Sequence, residues 1–193
     1  MLRIDKEKLK IYASMTDLVT ISRRYFVIGF FDGVLTVMGM LIGAFLSGIS
    51  SEAVISAGIA TSLALGISSG WGAFEAERVE QKVAAMEKRR SLLKFENDYC
   101  LIDEAHNFAM KISAIVHAIA PIPAGIIPLI PYVFLPAREA FPYAVLIGLF
   151  LLFIVGLMLG RISKENVIKS GLRLVLAGIL TLIFVSILNP VHL

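Results

Sequence analysis

Five stretches of about 20 mostly apolar residues dominate this chain, and each is long enough to cross the roughly 30 Å hydrocarbon core of a bilayer as a helix. They run over about residues 25–47, 54–74, 108–133, 140–160 and 172–188. An aqueous domain has nowhere to hide them. Of 193 residues, 58% are apolar and 17% charged, against about 25% charge in ordinary soluble domains. In lipid every backbone N–H and C=O must be bonded within the structure, and segments of this length achieve that as helices. The expected fold is all-α and polytopic, with five transmembrane helices. Disorder does not fit so apolar a chain, and a single cysteine, Cys100, excludes a disulfide scaffold. Residues 1–24 are polar and mixed in charge, without the apolar core or cleavage site of a signal peptide.

The few charges set the orientation. Lys and Arg beside a span stay on the cytoplasmic side. With the N-terminus inside, 17 of the 18 basic residues fall in or beside cytoplasmic segments, and only Arg138 lies outside. The basic character therefore reports N-in, C-out topology, and no nucleic-acid partner is expected. Four segments follow: a cytoplasmic or interfacial stretch 1–24, spans one and two in 25–74, a cytoplasmic helical segment 75–106, and spans three to five in 107–193. Leu9, Tyr12, Leu18 and Ile21 suit an amphipathic surface helix with Lys6, Lys8 and Lys10 near anionic head groups, or else a solvated tail. Residues 75–96, free of Gly and Pro, are expected to continue span two into the cytosol.

Asp32 is the residue that most needs an explanation. It stands seven residues into span one, about 10 Å along the helix, where an ionisable side chain is costly and marks an ion path or a partnered site. Thr36 shares its face one turn on. Met38 and Met40 lie on the same span and read either as thioether ligands for a soft or borderline metal or as packing. Gly58, Ser62, Gly66 and Gly70 in span two, Gly29 and Gly33 in span one, and Gly156 and Gly160 in span four form small-residue stripes. Such stripes let helices approach closely, within one subunit or between two.

Span three carries Pro121, Pro123, Pro128 and Pro131, which rule out one continuous α-helix; broken spans often turn backbone carbonyls toward a cavity. Before the break, His106, Met110, Ser113 and His117 share a helix face. That face reads as a metal guide or, for His117, as a hydrogen-bonded interior histidine. In the cytoplasmic segment, Glu75, Glu77, Glu80 and Glu87 are spaced to collect divalent cations with a second subunit, or are solvated charges beside Arg78, Lys82, Lys88, Arg89 and Arg90. No phosphate loop, zinc-spaced Cys/His cluster or nucleophile elbow around Ser68, Ser69 and His117 is present, so an enzyme is not expected.

The order of FFDGVLTVMGMLIGAFLSG, SLALGISSGW, AGIIPLIPY, GRIS and SGLRLVLAGIL across the five spans resembles the vacuolar iron transporter family of Fe²⁺/Mn²⁺ carriers. The resemblance implies a homodimer with a metal path on its axis, lined by the first two spans of each copy. It also implies proton-coupled export from the cytosol, with Asp32 as the membrane carboxylate. The chain departs from the family pattern at Leu63, where a methionine is usual, and at Ile55, where an acid is usual. The glutamate-rich cytoplasmic domain is shortened, so that Glu75, Glu77, Glu80 and Glu87 match only its beginning.

The function expected is export of Fe²⁺ or Mn²⁺ by proton exchange. The pathway is Asp32, Thr36, Met38, Met40 and Leu63, and the metal ligands are Asp32, Glu77, Glu80 and Glu87. Glu75, His106, Met110 and His117 are secondary candidates. No permanently bound cofactor is expected. The partners are divalent ions, lipid and a second copy, in the cell membrane of a prokaryote or a vacuole-type membrane of a eukaryote. The alternative is a non-transporting, metal-responsive or assembly protein on the same scaffold.

Overall fold

A computed structural model describes residues 18–92 and 101–188, except for the side chains at 81, 84–85, 87–92 and 101–106. Its elements are α1 (Leu18–Ser47), α2 (Ser51–Leu92), α3 (Leu101–Ile119), α4 (Pro121–Ile126), a 3-10 turn (Ile127–Leu129), α5 (Pro131–Phe134), α6 (Ala137–Ser163) and α7 (Val167–Leu188), with no strand among the described residues. Five stretches are long and apolar enough to span a membrane: Leu18–Ser47, Ser51–Glu80, Asn107–Phe134, Ala137–Ser163 and Val167–Leu188.

All five run past the expected limits, the first two furthest. Leu18 to Arg24, read from sequence as part of an interfacial segment, form the first two turns of α1; the remainder of that segment lies outside the described residues. The 42 residues of α2 make a rod of about 63 Å at 1.5 Å per residue, twice the hydrocarbon thickness. The helix of the second span thus runs on without a break to Leu92; the rest of the expected extension, from residue 93 to 96, lies outside the described residues.

The turns are chemically specified. At the end of α1, Gly48 takes the left-handed conformation (φ 64°). Its N–H donates to Phe45 O at 3.2 Å, and Ile49 N–H reaches Ala44 O at 3.3 Å, the paired bonds of a Schellman ending. Ser50 then caps α2 through a 3.4 Å bond from Ala53 N–H to its Oγ. At the other end, Lys164 closes α6 at φ 55°, and Asn166 Oδ1 caps α7, accepting from Ile168 N–H at 3.1 Å and Lys169 N–H at 3.3 Å.

The third span is broken where prolines remove amide donors. Its joints at Ala120, Ile126, Ile127 and Ile130 keep right-handed helical dihedrals, and the chain turns extended only at Leu135 (φ −126°, ψ 151°). Two carbonyls at the break, of His117 and Pro121, lie against α1. Pro121 has no N–H to bond His117 O, and that oxygen would lie 3.1 Å from a Cβ at Gly29. Pro121 O would lie 2.6 Å from a Cβ at Gly33. Glycine is what lets the two backbones touch.

The same close approach accounts for the other stripes. In α2, an added Cβ at Gly58 would strike Leu129, at Gly66 Ala118 O and Ile122, and at Gly70 Ala118. Gly156 and Gly160 of α6 are closed against Gly171, Val167 and Ser170 of α7. These small residues serve packing within one subunit. Around α1 the core is close-packed: Val34, Val37, Met38 and Leu41 are fully buried, against Ala124 and Leu152 in one cluster and Leu129, Tyr132, Ala140 and Ala144 in the other.

Candidate functional site

Asp32 lies 14 residues from the start of α1 and 15 from its end, at the helix midpoint. It is half-buried. Ile28 and Thr36, one turn to either side on the same face, are exposed, so this stripe looks out from the subunit. Among the described residues the Asp32 carboxylate has no hydrogen-bonding or ion-pairing partner; the His117 imidazole is the one charged or ionisable neighbour acting on it electrostatically.

Two turns before Asp32 on α1, three helices are tied together at Tyr25. The Tyr25 hydroxyl donates to Glu77 Oε1 on α2 at 2.7 Å. The Tyr25 carbonyl lies 2.9 Å from His117 Nδ1 on α3; a carbonyl only accepts, so Nδ1 carries the proton and donates. The Tyr25 and His117 rings sit 5.2 Å apart, and the Arg24 guanidinium lies 5.4 Å from the Tyr25 ring centroid. His117 is therefore the hydrogen-bonded interior histidine, one of its two readings. Tyr25 was not singled out from sequence. The available signal was its place seven residues before Asp32, which puts both on one helix face two turns apart.

The other candidates are distributed. Met38 is fully buried and points into the core, where its sulfur approaches Gly148 and its methyl Gly178. Six residues past Asp32 is 240° of helix rotation, which takes Met38 off the Asp32 stripe. Met40 packs on the cluster of Val37, Leu41 and Tyr132. Leu63 is exposed on the outer face of α2 with Ile59, Ile67 and Trp71. Met110 and Ser113 are buried with His117 on the packed face of α3. The hydroxyls of Ser113 and Ser22 have no hydrogen-bond partner among the described residues.

Glu75 is held by Arg78, whose Nη1 lies 3.1 Å from both carboxylate oxygens, the solvated-pair reading. Glu80 is exposed. The side chains of Glu87 and His106 lie outside the described residues. Among the described residues no three His, Cys, Asp or Glu side chains converge to hold an ion; what one subunit presents is an unpaired mid-span carboxylate above a Tyr25–Glu77–His117 cluster.

Comparison with known proteins places this architecture. The model of the VIT family matches residues 23–111 and 100–188, the five spans and the segment between them. An uncharacterized protein of Methanocaldococcus jannaschii is 34% identical over 155 residues, covering 79% of this chain and 80% of the relative.

Proposed function

The chain belongs to the VIT family of membrane metal-ion transporters and is a multi-span integral membrane protein; on that premise we propose that it exports Fe²⁺ or Mn²⁺ from the cytosol in exchange for protons, along a path between two copies of the chain. The observation that carries the reading is the placement of Asp32. An unpaired carboxylate at mid-span facing outward from a subunit with a close-packed interior is expensive against lipid. A second copy laid against the Asp32–Thr36 stripe removes that cost and builds a polar path, with two carboxylates facing each other across it.

In this mechanism Glu77 and Glu80, with Glu87 further along α2, draw divalent cations to the cytoplasmic mouth. The ion passes to Asp32, which binds metal and proton alternately: a carboxylate in a confined site accepts one cation at a time. Hard oxygen ligands suit Mn²⁺ and Fe²⁺, and Leu63 contributes an apolar wall where a thioether would have bound softer ions.

The test is flux in proteoliposomes across Fe²⁺, Mn²⁺, Co²⁺, Zn²⁺ and Ca²⁺, with and without a pH gradient. The expected result is Fe²⁺ or Mn²⁺ flux accelerated by an opposing proton gradient and abolished by Asp32→Asn, with elution volume and unfolding temperature unchanged. Full flux in Asp32→Asn refutes the mechanism. No flux for any ion, with binding confined to the cytoplasmic glutamates, favours a non-transporting protein on this scaffold.

A further inference from the structure

Tyr25 joins Glu77, one of the acidic groups of the proposed cytoplasmic mouth, to the helix that carries Asp32. Seven residues separate Tyr25 from Asp32, so the tyrosine lies directly beneath the carboxylate on the same α1 stripe, about 10 Å nearer the cytoplasmic end. Its ring is fixed on three sides: by the 2.7 Å bond to Glu77, by the His117 ring at 5.2 Å and by the Arg24 guanidinium at 5.4 Å. Its backbone is anchored separately, through His117 Nδ1, and Gly29 and Gly33 leave α1 no slack against the third span. With the backbone so anchored, release of the hydroxyl leaves the ring held only by its contacts with His117 and Arg24.

We propose that Tyr25 is a cation-released latch on the cytoplasmic approach to Asp32, held shut by its hydrogen bond to Glu77 and opened when a divalent cation takes the Glu77 carboxylate. A carboxylate has lone pairs for several donors, but a divalent cation held by it withdraws electron density and repels the hydroxyl proton, weakening the bond from Tyr25. The metal thus opens its own way inward, and the route stays closed to monovalent ions and protons when no metal is bound. Tyr25 is a positioning residue in this scheme, not a ligand. The proposal rests on the transport path argued above, but its readout is access to that path and not flux.

The experiment uses the full chain with Cys100→Ser and a reporter cysteine at Thr36→Cys, one turn beyond Asp32, in oriented proteoliposomes. A membrane-impermeant thiol reagent is added on the cytoplasmic side, with and without Mn²⁺. In this parent the labelling rate is slow without metal and rises at least about tenfold with Mn²⁺, the shift expected when a hydrogen bond to a charged acceptor is lost. Tyr25→Phe keeps the ring and removes the donor; its labelling is fast without metal and indifferent to Mn²⁺. Glu77→Gln keeps an acceptor for the hydroxyl and loses the metal affinity; its labelling stays slow in both conditions, so the reasoning remains testable if Tyr25→Phe fails to fold. Slow, Mn²⁺-responsive labelling in Tyr25→Phe, or Mn²⁺-responsive labelling in Glu77→Gln, overturns the latch. Loss of flux in Asp32→Asn with the labelling pattern intact keeps the latch, and a latch failure with intact flux leaves the transport reading standing.

Discussion

The closest backbone contact beside Asp32 gives the sharpest quantitative prediction. Gly33 sits against the third span at its break, and a Cβ added there would lie 2.6 Å from Pro121 O, 2.8 Å from Pro121 Cα and 2.9 Å from Ala124 Cβ. Two of these three are main-chain atoms, which no rotamer change can move. To bring the 2.6 Å contact to the 3.4 Å edge of ordinary contact, α1 and α4 must separate by about 0.8 Å along that line. The packing of Val34, Val37 and Met38, all fully buried, is disturbed with it. Overpacking of this kind costs about 1–3 kcal/mol, while replacing a helical glycine by alanine returns up to about 1 kcal/mol.

With main-chain atoms in two of the three contacts the cost falls in the upper part of that range, about 2–3 kcal/mol, so the net expectation for Gly33→Ala is destabilisation by about 1–2 kcal/mol, a 5–30-fold loss in the folded-to-unfolded ratio. Gly72→Ala, with nothing within 4 Å of its Cβ position, receives only the helix-propensity gain and is stabilised by up to about 1 kcal/mol. The assay is unfolding of both variants in the same detergent, followed by far-UV circular dichroism. Equal or greater stability of Gly33→Ala relative to the parent refutes the close approach of α1 to the broken span, and with it the geometry of the Asp32 surroundings.

Two further outcomes follow from the described positions. Leu63→Met, an exchange of nearly equal volume on an exposed face, is expected to leave stability within about 1.5 kcal/mol of the parent while raising Co²⁺ flux relative to Mn²⁺, because a thioether favours the softer ion; an unchanged flux ratio removes Leu63 from the path. In the Cys100→Ser background, a cysteine placed at Glu165 is labelled only from the cytoplasmic side and one at Gly48 only from the opposite side, and the reverse pattern overturns the orientation read from the basic residues.

The spans were legible because a run of apolar residues long enough to cross hydrocarbon has few other uses. The Pro121, Pro123, Pro128 and Pro131 break was legible too, since a missing N–H is a local fact. The purpose of Gly58, Gly66 and Gly70 was not. A small-residue stripe satisfies close packing within a subunit as well as between subunits, and only the position of Ala118, Ile122 and Leu129 against it decided for the former. Met38 shows the same limit: the residue type allowed ligand or core, and the helix rotation together with Gly148 and Gly178 put it in the core. Tyr25 and His117 are 92 positions apart, and Tyr25 and Glu77 are 52 apart; no spacing rule links residues on different helices.

By itself, the sequence determined the solvent and the number of crossings, and it gave the expectation for their direction. Hydropathy and the distribution of basic residues act on each segment separately, through its own transfer into lipid and its own neighbouring charge. Tertiary structure decided which glycines touch the broken span, which way Met38 points, and that Asp32 faces out of a filled subunit above the Tyr25–Glu77 bond. Those outcomes depend on the relative rotation and height of packed helices, which shape complementarity across their contacts sets and which no single segment encodes.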